Sequence, residues 1–385
     1  MKLRQNHKKY SSLLENIDDV KQAISLISPF IKNMIKFPMR KFNGPIGEKQ
    51  LIFESKIKKN FLENRCNLFS LCSSPEYFLE KGKNLFFEDY LAYQFWITSL
   101  EIEQELIYKF WPKTVVQQCI HAGLISQKLT LEGTKLLSNF RIIPFRDMFL
   151  IADRYDRTYN DMVYLSYDSL VLAEFLAEVN YQGQVICDIC SGSGILGLTI
   201  SKNCPHKQNE SVIHSIDINP RAIECAQVNS ALNELALQGH VSTYSNCKSF
   251  ISTSDIVVFN PPFIFGPASR LLLDSDGGEQ GIEHTFNILK LINRNLKIGG
   301  RYIGISQSPI IQGKDVLWNA VQQFETLEIN YHVLDEFKPF SRYSEWYASH
   351  GVEAIRQIII FGDRMPTKAA KIFNNKSEIG KYCFS

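Results

Sequence analysis

Two spacings of apolar residues divide the chain. Over residues 12–38, Leu13, Leu14, Ile17, Val20, Ile24, Leu26, Ile27 and Ile31 return near the ~3.6-residue helical period. They predict a helix whose continuity Pro29 and Pro38 limit. A loop is expected over residues 38–47, and residues 86–100 and 101–111 predict two more helices. Pro112 opens a third at its first turn, and Gly123 supplies the left-handed stop. Short strand-like runs follow at 140–145 and 148–152, around a turn at Arg146-Asp147. Helices followed by a hairpin are the order of a winged-helix module, which binds nucleic acid in many proteins and serves as a packing unit in others.

Beyond about residue 158 the pattern changes. Apolar runs at 185–189, 212–216, 255–259, 301–306, 327–334 and 354–361 predict strands. Amphipathic stretches at 169–179, 194–202, 220–232 and 284–296 predict helices between them. Strands alternating with helices make an α/β domain with a mostly parallel, doubly wound sheet. The expected organisation is a mainly helical, winged-helix-like domain over 1–157, an α/β domain over 158–363, and a loosely held polar tail over 364–385.

Composition narrows the class. With 385 residues, 45% of them hydrophobic and a net charge of +2, a disordered chain is excluded. No apolar run reaches the ~18–20 residues of a membrane-spanning helix. The first residues lack the apolar core of a secretory signal, and acidic residues from Glu15 onward argue against an organellar one, so a cytoplasmic location is expected. The charge is unevenly spread: residues 1–65 hold 14 Lys and Arg against 6 Asp and Glu. Such a basic arm suits an anionic partner such as RNA, and equally a solvated helical face. The nine cysteines show no disulfide framework, and the Cys187/Cys190 pair has no second pair to complete a zinc site.

The chemistry concentrates in three segments. In Val185-Ile186-Cys187-Asp188-Ile189-Cys190-Ser191-Gly192-Ser193-Gly194, an apolar strand runs into a small-residue turn and a helix start. Gly192 and Gly194 let backbone approach a ligand, and Gly197 lets the helix sit against the sheet. That pattern alone also fits a dinucleotide site, with an NAD-type oxidoreductase as the corresponding activity. A second strand ends at Asp217, whose carboxylate can accept both hydrogen bonds of a ribose diol; Asn219 and Pro220 then read as the cap and first position of a helix. The third segment decides between the readings. Strand 255–259 enters Asn260-Pro261-Pro262-Phe263. The prolines stiffen the backbone, so the Asn260 side chain and the Pro261 carbonyl can act as two fixed acceptors. Two such acceptors hold both hydrogens of an NH2 group and aim its lone pair, while Phe263 can cover a flat amide or base.

With these three motifs in this order, residues 160–362 resemble the class I S-adenosylmethionine-dependent methyltransferases of the NPPY/NPPF group. That group includes release-factor glutamine methyltransferases and several RNA and DNA amino-methyltransferases. The resemblance implies a Rossmann-like, seven-stranded sheet and S-adenosyl-L-methionine as cofactor, with no metal. It further implies that Asp188, Cys190, Gly192 and Gly194 line the methionine part, Asp217 the ribose and Asn246 the adenine, while Asn260, Pro261 and Phe263 orient the acceptor nitrogen. Tyr167-Asp168-Ser169 falls where such enzymes touch the carboxylate end of the cofactor. Three departures stand out: Cys190 replaces the first glycine of the usual turn, Asn246 replaces an acidic residue, and Phe263 replaces tyrosine. Ala122–Ile125 and Ser344–Tyr347 also resemble a bacterial group that joins a winged-helix-like region to a small-type methyltransferase domain.

The implied activity is transfer of a methyl group to an amino or amide nitrogen of RNA or protein. Two further readings stay open on residues alone: a small-metabolite acceptor, with the N-terminal domain as lid or dimer interface, and a non-catalytic binding module. His214, His240 and His284 read as structural or surface histidines.

Overall fold

A computed structural model describes residues 10–31, 91–92, 94–97, 99–154, 161–178, 185–204, 211–267, 273–339, 343–367 and 371–374. The basic arm before residue 10 and over 32–65, and the loop expected at 38–47, lie outside these residues. The chain forms two compact units, Met1–Asp156 and Arg157–Ser385.

In the first unit the expected N-terminal helix is two helices, α1 (Tyr10–Glu15) and α2 (Ile17–Ile31). Pro29 sits within the last turn of α2, where it is tolerated. Strand β1 (Ile102–Glu103) precedes α3 (Gln104–Phe110), so the helix expected from residue 101 starts three residues later. Helix α4 (Lys113–His121) follows Pro112 and ends at Gly123, whose φ is +74°. Strands β2 (Ile125–Thr130) and β3 (Gly133–Ser138) form a hairpin that β1 extends to a three-stranded antiparallel sheet. Strands β4 (Arg141–Phe145) and β5 (Met148–Ala152) make a separate hairpin. Buried Phe95, Trp96 and Trp111 pack ring against ring at the centre of this unit. At the β2–β3 tip, Lys128 is paired with Glu101 and Lys135 with Glu132, which leaves exposed Leu129 and Leu131 as its outermost apolar groups.

The second unit is a twisted sheet with helices on both faces. Its strands are β6 (Val185–Ile189), β7 (Val212–Asp217), β8 (Leu237–Val241), β9 (Ile256–Phe259), β10 (Arg301–Ile311), β11 (Lys314–Asp315), β12 (Ile329–Phe337), β13 (Val352–Asp363) and β14 (Lys371–Asn374). The order β14-β12-β13-β10-β9-β6-β7-β8 is parallel from β10 to β8, and β13 runs antiparallel to both its neighbours. Seven strands make the body, and β11 and edge strand β14 bring the described sheet to nine. Within the expected tail, residues 371–374 form β14, which pairs in parallel with β12 and adds an edge strand. β8 has a weak sequence signal because Gly239 interrupts it. A Cβ there would lie 2.4 Å from Ile223 Cγ2, so only glycine lets the strand lie against the overlying helix.

The covering helices are α5 (Tyr167–Ala177), α6 (Ile195–Asn203), α7 (Pro220–Leu232), α8 (Lys248–Thr253), α9 (Glu283–Asn295), α10 (Val316–Val321) and α11 (Ser344–Ser349). Central strands β6 and β9 are buried along almost their whole length, which is why they read as continuous apolar runs rather than alternating ones. The reversal of strand order falls between β6 and β9. Ligands bind in open α/β sheets beyond the carboxyl ends of strands at such a point.

Candidate functional site

A cavity of about 510 Å³ opens there, within the ~300–1,000 Å³ range of small-ligand clefts. The ends of β6, β7 and β9 meet in it. Ile189–Ser193 come from β6, Ile216–Asn219 from β7 and Asn260–Ile264 from β9, with Asp168 and Ser169 from the start of α5.

The turn after β6 is built from backbone. Cys190 takes φ +57°, a left-handed conformation that usually belongs to glycine. Gly192 follows at φ +52° and faces open space, and Gly194 caps α6 at φ +78°. A Cβ on Gly194 would come within 3.0 Å of Ala226 Cβ on α7, so the helices approach too closely for a larger residue. Gly197 has the same role one turn later: its Cβ would sit 2.7 Å from Ile213 Cγ2 on β7.

Asp188 differs from its expected place. It is fully buried behind the turn, is absent from the cavity lining, and accepts the Gly197 N–H through Oδ2 at 3.0 Å. Gly194 likewise supports the cavity from behind. Burial pushes the Asp188 carboxyl up to about 8; the Gly197 N–H opposes this and nearby Asp217 adds to it. Its Oδ1 has no hydrogen-bond partner, and neither has the buried Oγ of Ser191 on the cavity wall. Burial likewise raises the Cys190 thiol well above its ordinary value, so it is protonated at neutral pH.

Asp217 stands in the lining, where Oδ2 accepts from Gly192 N and Oδ1 from Asn219 N, each at 2.9 Å. Burial raises its carboxyl, and the N–H groups of Asn219, Gly192 and Ile218 pull it back down. With three N–H groups on two oxygens, the carboxylate keeps lone-pair room for a further hydroxyl donor. Asn219 caps α7 as its sequence suggests: Oδ1 accepts from Arg221 N at 3.0 Å, ahead of Pro220 at the first turn.

Asn246, expected at the adenine, stands apart from the cavity. It is exposed and outside the lining, where Ser242–Ser245 stand instead. Residues 244–246 form a 3₁₀ turn, in which positions three apart share a face. Half-buried Tyr244 and buried Cys247 take the inner face, so Asn246 is turned outward.

After β9, Asn260, Pro261 and Phe263 all line the cavity, Phe263 nearly buried at 9% exposure. Asn260 Nδ2 donates to Ser169 Oγ at 2.9 Å. Asp168 also lines the cavity and accepts a hydrogen bond from the Gln357 amide on β13; burial raises its carboxyl and that bond lowers it.

Two contributors have little signature in the sequence. Asp276-Gly277-Gly278 closes the loop over the proline segment: Gly277 N donates to Ile264 O at 3.1 Å, and a Cβ on Gly277 would lie 2.6 Å from the Phe263 carbonyl carbon. The adjacent glycines, 14 residues beyond Phe263, are the only hint. His284, read from sequence as structural, lines the cavity and bonds Tyr244 Oη through Nδ1 at 3.1 Å. Among the described residues no group of three His, Cys, Asp or Glu could hold a metal ion, and no helix is long and apolar enough to cross a membrane.

Residues 165–330 match the family model of the methyltransferase small domain. This segment is similar to the methyltransferase small domain. Over 169 residues the chain is 29% identical to a release factor glutamine methyltransferase of Chlamydia trachomatis, covering 40% of this chain and 53% of that protein. It is 37% identical over 169 residues to a ribosomal RNA large subunit methyltransferase G of Shewanella woodyi, covering 41% and 36%. The chain thus spans about half the length of the Chlamydia relative. A crystal structure of a tRNA m1G37 methyltransferase from M. jannaschii aligns at 15% identity over 59% of this chain and 57% of that one, with a TM-score of 0.39.

Proposed function

We propose that the methyltransferase domain transfers a methyl group from S-adenosylmethionine to an amino or amide nitrogen of a macromolecule, a protein glutamine or an RNA base. The observation that carries this reading is the meeting of the Asp217 carboxylate, the backbone turn at 190–192 and the Asn260-Pro261 acceptors in one cavity. The relatives named for glutamine and ribosomal RNA methylation support the macromolecular acceptor.

The residues present suit the cofactor. Gly192 leaves open space where a side chain would stand, and the unpartnered Ser191 Oγ can serve a polar ligand group. Asp217 would hold a ribose diol, with Tyr244 in the wall beside the base. Asp168, a carboxylate, would favour the ammonium of the amino-acid end over its carboxylate, which changes the assignment read from sequence. When bound, the cofactor supplies an electrophilic methyl group on a good leaving group.

What the chain contributes is position and dryness. Asn260 Oδ1 and the Pro261 carbonyl would each accept one hydrogen of the acceptor NH2, leaving the nitrogen lone pair directed along the line of transfer. Phe263 and Pro262 would cover the flat face of the amide or base and exclude water. An uncharged nitrogen needs no base before transfer, since its proton becomes acidic once the fourth bond forms.

The test is transfer of a labelled methyl group from S-adenosylmethionine into fractionated cell extract. Label in the protein or RNA fraction is the expected result. Label confined to small molecules would move the acceptor to the metabolite class, and no label in any fraction would sink the reading.

A further inference from the structure

We propose that Ser169 is a positioning residue that fixes which way round the Asn260 amide faces, and so decides whether the site presents an acceptor or a donor to the substrate nitrogen. The inference rests on the methyl-transfer reading above.

An asparagine side chain has two nearly isosteric ends of opposite hydrogen-bonding sense. With Oδ1 toward the acceptor NH2, Asn260 accepts a hydrogen and orients the lone pair. With Nδ2 there instead, two donors would face each other and the substrate would be pushed out of line. The Pro261-Pro262 backbone fixes where the side chain starts but not its amide orientation.

The missing constraint comes from 91 residues earlier in the chain: Asn260 Nδ2 donates to Ser169 Oγ at 2.9 Å. A hydroxyl can both donate and accept, so Ser169 alone would tolerate either end of the amide. Its neighbour removes that freedom. Ser166 is the N-cap of α5, and its Oγ accepts the Ser169 backbone N–H at 3.3 Å. The two hydroxyl oxygens are also 3.3 Å apart. Ser166 donates its own hydroxyl proton to the Asp168 carboxylate, so between the two hydroxyls Ser169 is the donor, and its oxygen is left as an acceptor toward Asn260, which satisfies only the Nδ2 end. The cap of α5 thereby orders three groups in series, Ser166, Ser169 and Asn260, all in the cavity lining. A cap alone would need only Ser166; the Ser169 hydroxyl has no part in the capping bond, which its backbone N–H makes.

The experiment compares Ser169→Ala and Ser169→Thr with the wild-type full chain. The readouts are the single-turnover rate of labelled methyl transfer into the extract fraction that takes label, S-adenosylmethionine affinity by calorimetry, and thermal stability. Ser169→Ala is expected to slow transfer on the order of tenfold to a hundredfold, the loss that misplacing one positioning contact brings. Cofactor affinity should stay within about twofold. Ser169→Thr, which keeps the hydroxyl, should recover most of the rate. Transfer by Ser169→Ala at the wild-type rate would overturn the inference. So would a loss that tracks weaker cofactor binding or lower stability, or one that Thr fails to rescue. If the wild type itself transfers no label, the methyl-transfer reading falls and this inference with it; an active wild type with an unaffected Ser169→Ala sinks the inference alone.

Discussion

The ends of β6 and β9 lie side by side in the same cavity wall and are built on opposite plans. Beyond β6 the working groups are backbone: left-handed Cys190, Gly192 and Gly194 shape a turn, and the acidic residue of the strand, Asp188, is buried behind it as a clamp on Gly197 N. Beyond β9 the groups proposed to hold the acceptor nitrogen are the Asn260 side chain and the Pro261 carbonyl, on a backbone stiffened by two prolines. A small ligand that must be surrounded is best met by a tight backbone with no side chains in the way. A reacting nitrogen that must be aimed needs discrete acceptors at fixed positions. Damage to the β6 end should therefore appear as lost binding or stability, and damage to the β9 end as lost turnover.

The largest expected effect is at the β9 end. Asn260→Ala should cut methyl transfer by ~10³-fold, about 4 kcal/mol of transition-state stabilisation, with S-adenosylmethionine affinity nearly unchanged. Near-normal turnover in the labelled-methyl assay would erase the distinction between the two ends. Asp217→Ala should weaken cofactor binding by ~10²-fold, because it removes a charged acceptor and strands the Gly192 and Asn219 N–H groups. Unchanged affinity by calorimetry would refute that role. Gly197→Ala should lower stability by ~1–3 kcal/mol in urea unfolding, since its methyl must push against buried Ile213. An unshifted midpoint would show that the α6–β7 contact can yield.

The smallest effect sharpens the view of Asp188 as a clamp. Its carboxyl stands at about 8 in the fold and at ~3.9 in an unfolded chain. Between those values the unfolded chain releases the proton while the folded chain retains it. The contribution to stability is full below about pH 4 and is lost as pH rises through about 8. Asp188→Asn keeps an acceptor for Gly197 N and cannot ionise, so it should lose less stability than the wild type as pH rises from about 5 to about 8. Burial raises Asp168 and Asp217 in the same direction, so the variant should retain part of the downward slope. Parallel pH curves for the two proteins would remove the clamp from the account.

Legibility in the sequence followed the same division. Strands 185–189 and 212–217 could be read almost to the residue, because β6 is mostly apolar and buried along nearly its whole length, and β7 places Ile213 and Ile216 in the core. β8 was missed where Gly239 breaks the run. The acceptor segment was legible because prolines leave local backbone few options. Asn246 lies outside the lining because one residue more or less around a 3₁₀ turn changes the face a side chain takes. His284, Asp168 and Ser169 reach the cavity only because α9 and α5 begin beside the strand ends, which spacing along the chain does not state.

The sequence by itself determined the class of architecture, the glycine turn, the capped helix after Asp217 and the Asn-Pro-Pro-Phe acceptor, since each depends on the φ, hydrogen-bonding or apolar character of residues next to one another. Tertiary structure alone decided which groups face the cavity. It buried Asp188 behind the turn, excluded Asn246, brought Ser169 to Asn260 across 91 residues, and made a strand of residues 371–374. Those outcomes depend on packing between elements distant in the chain, where burial and close approach select the side chains that remain exposed to a ligand.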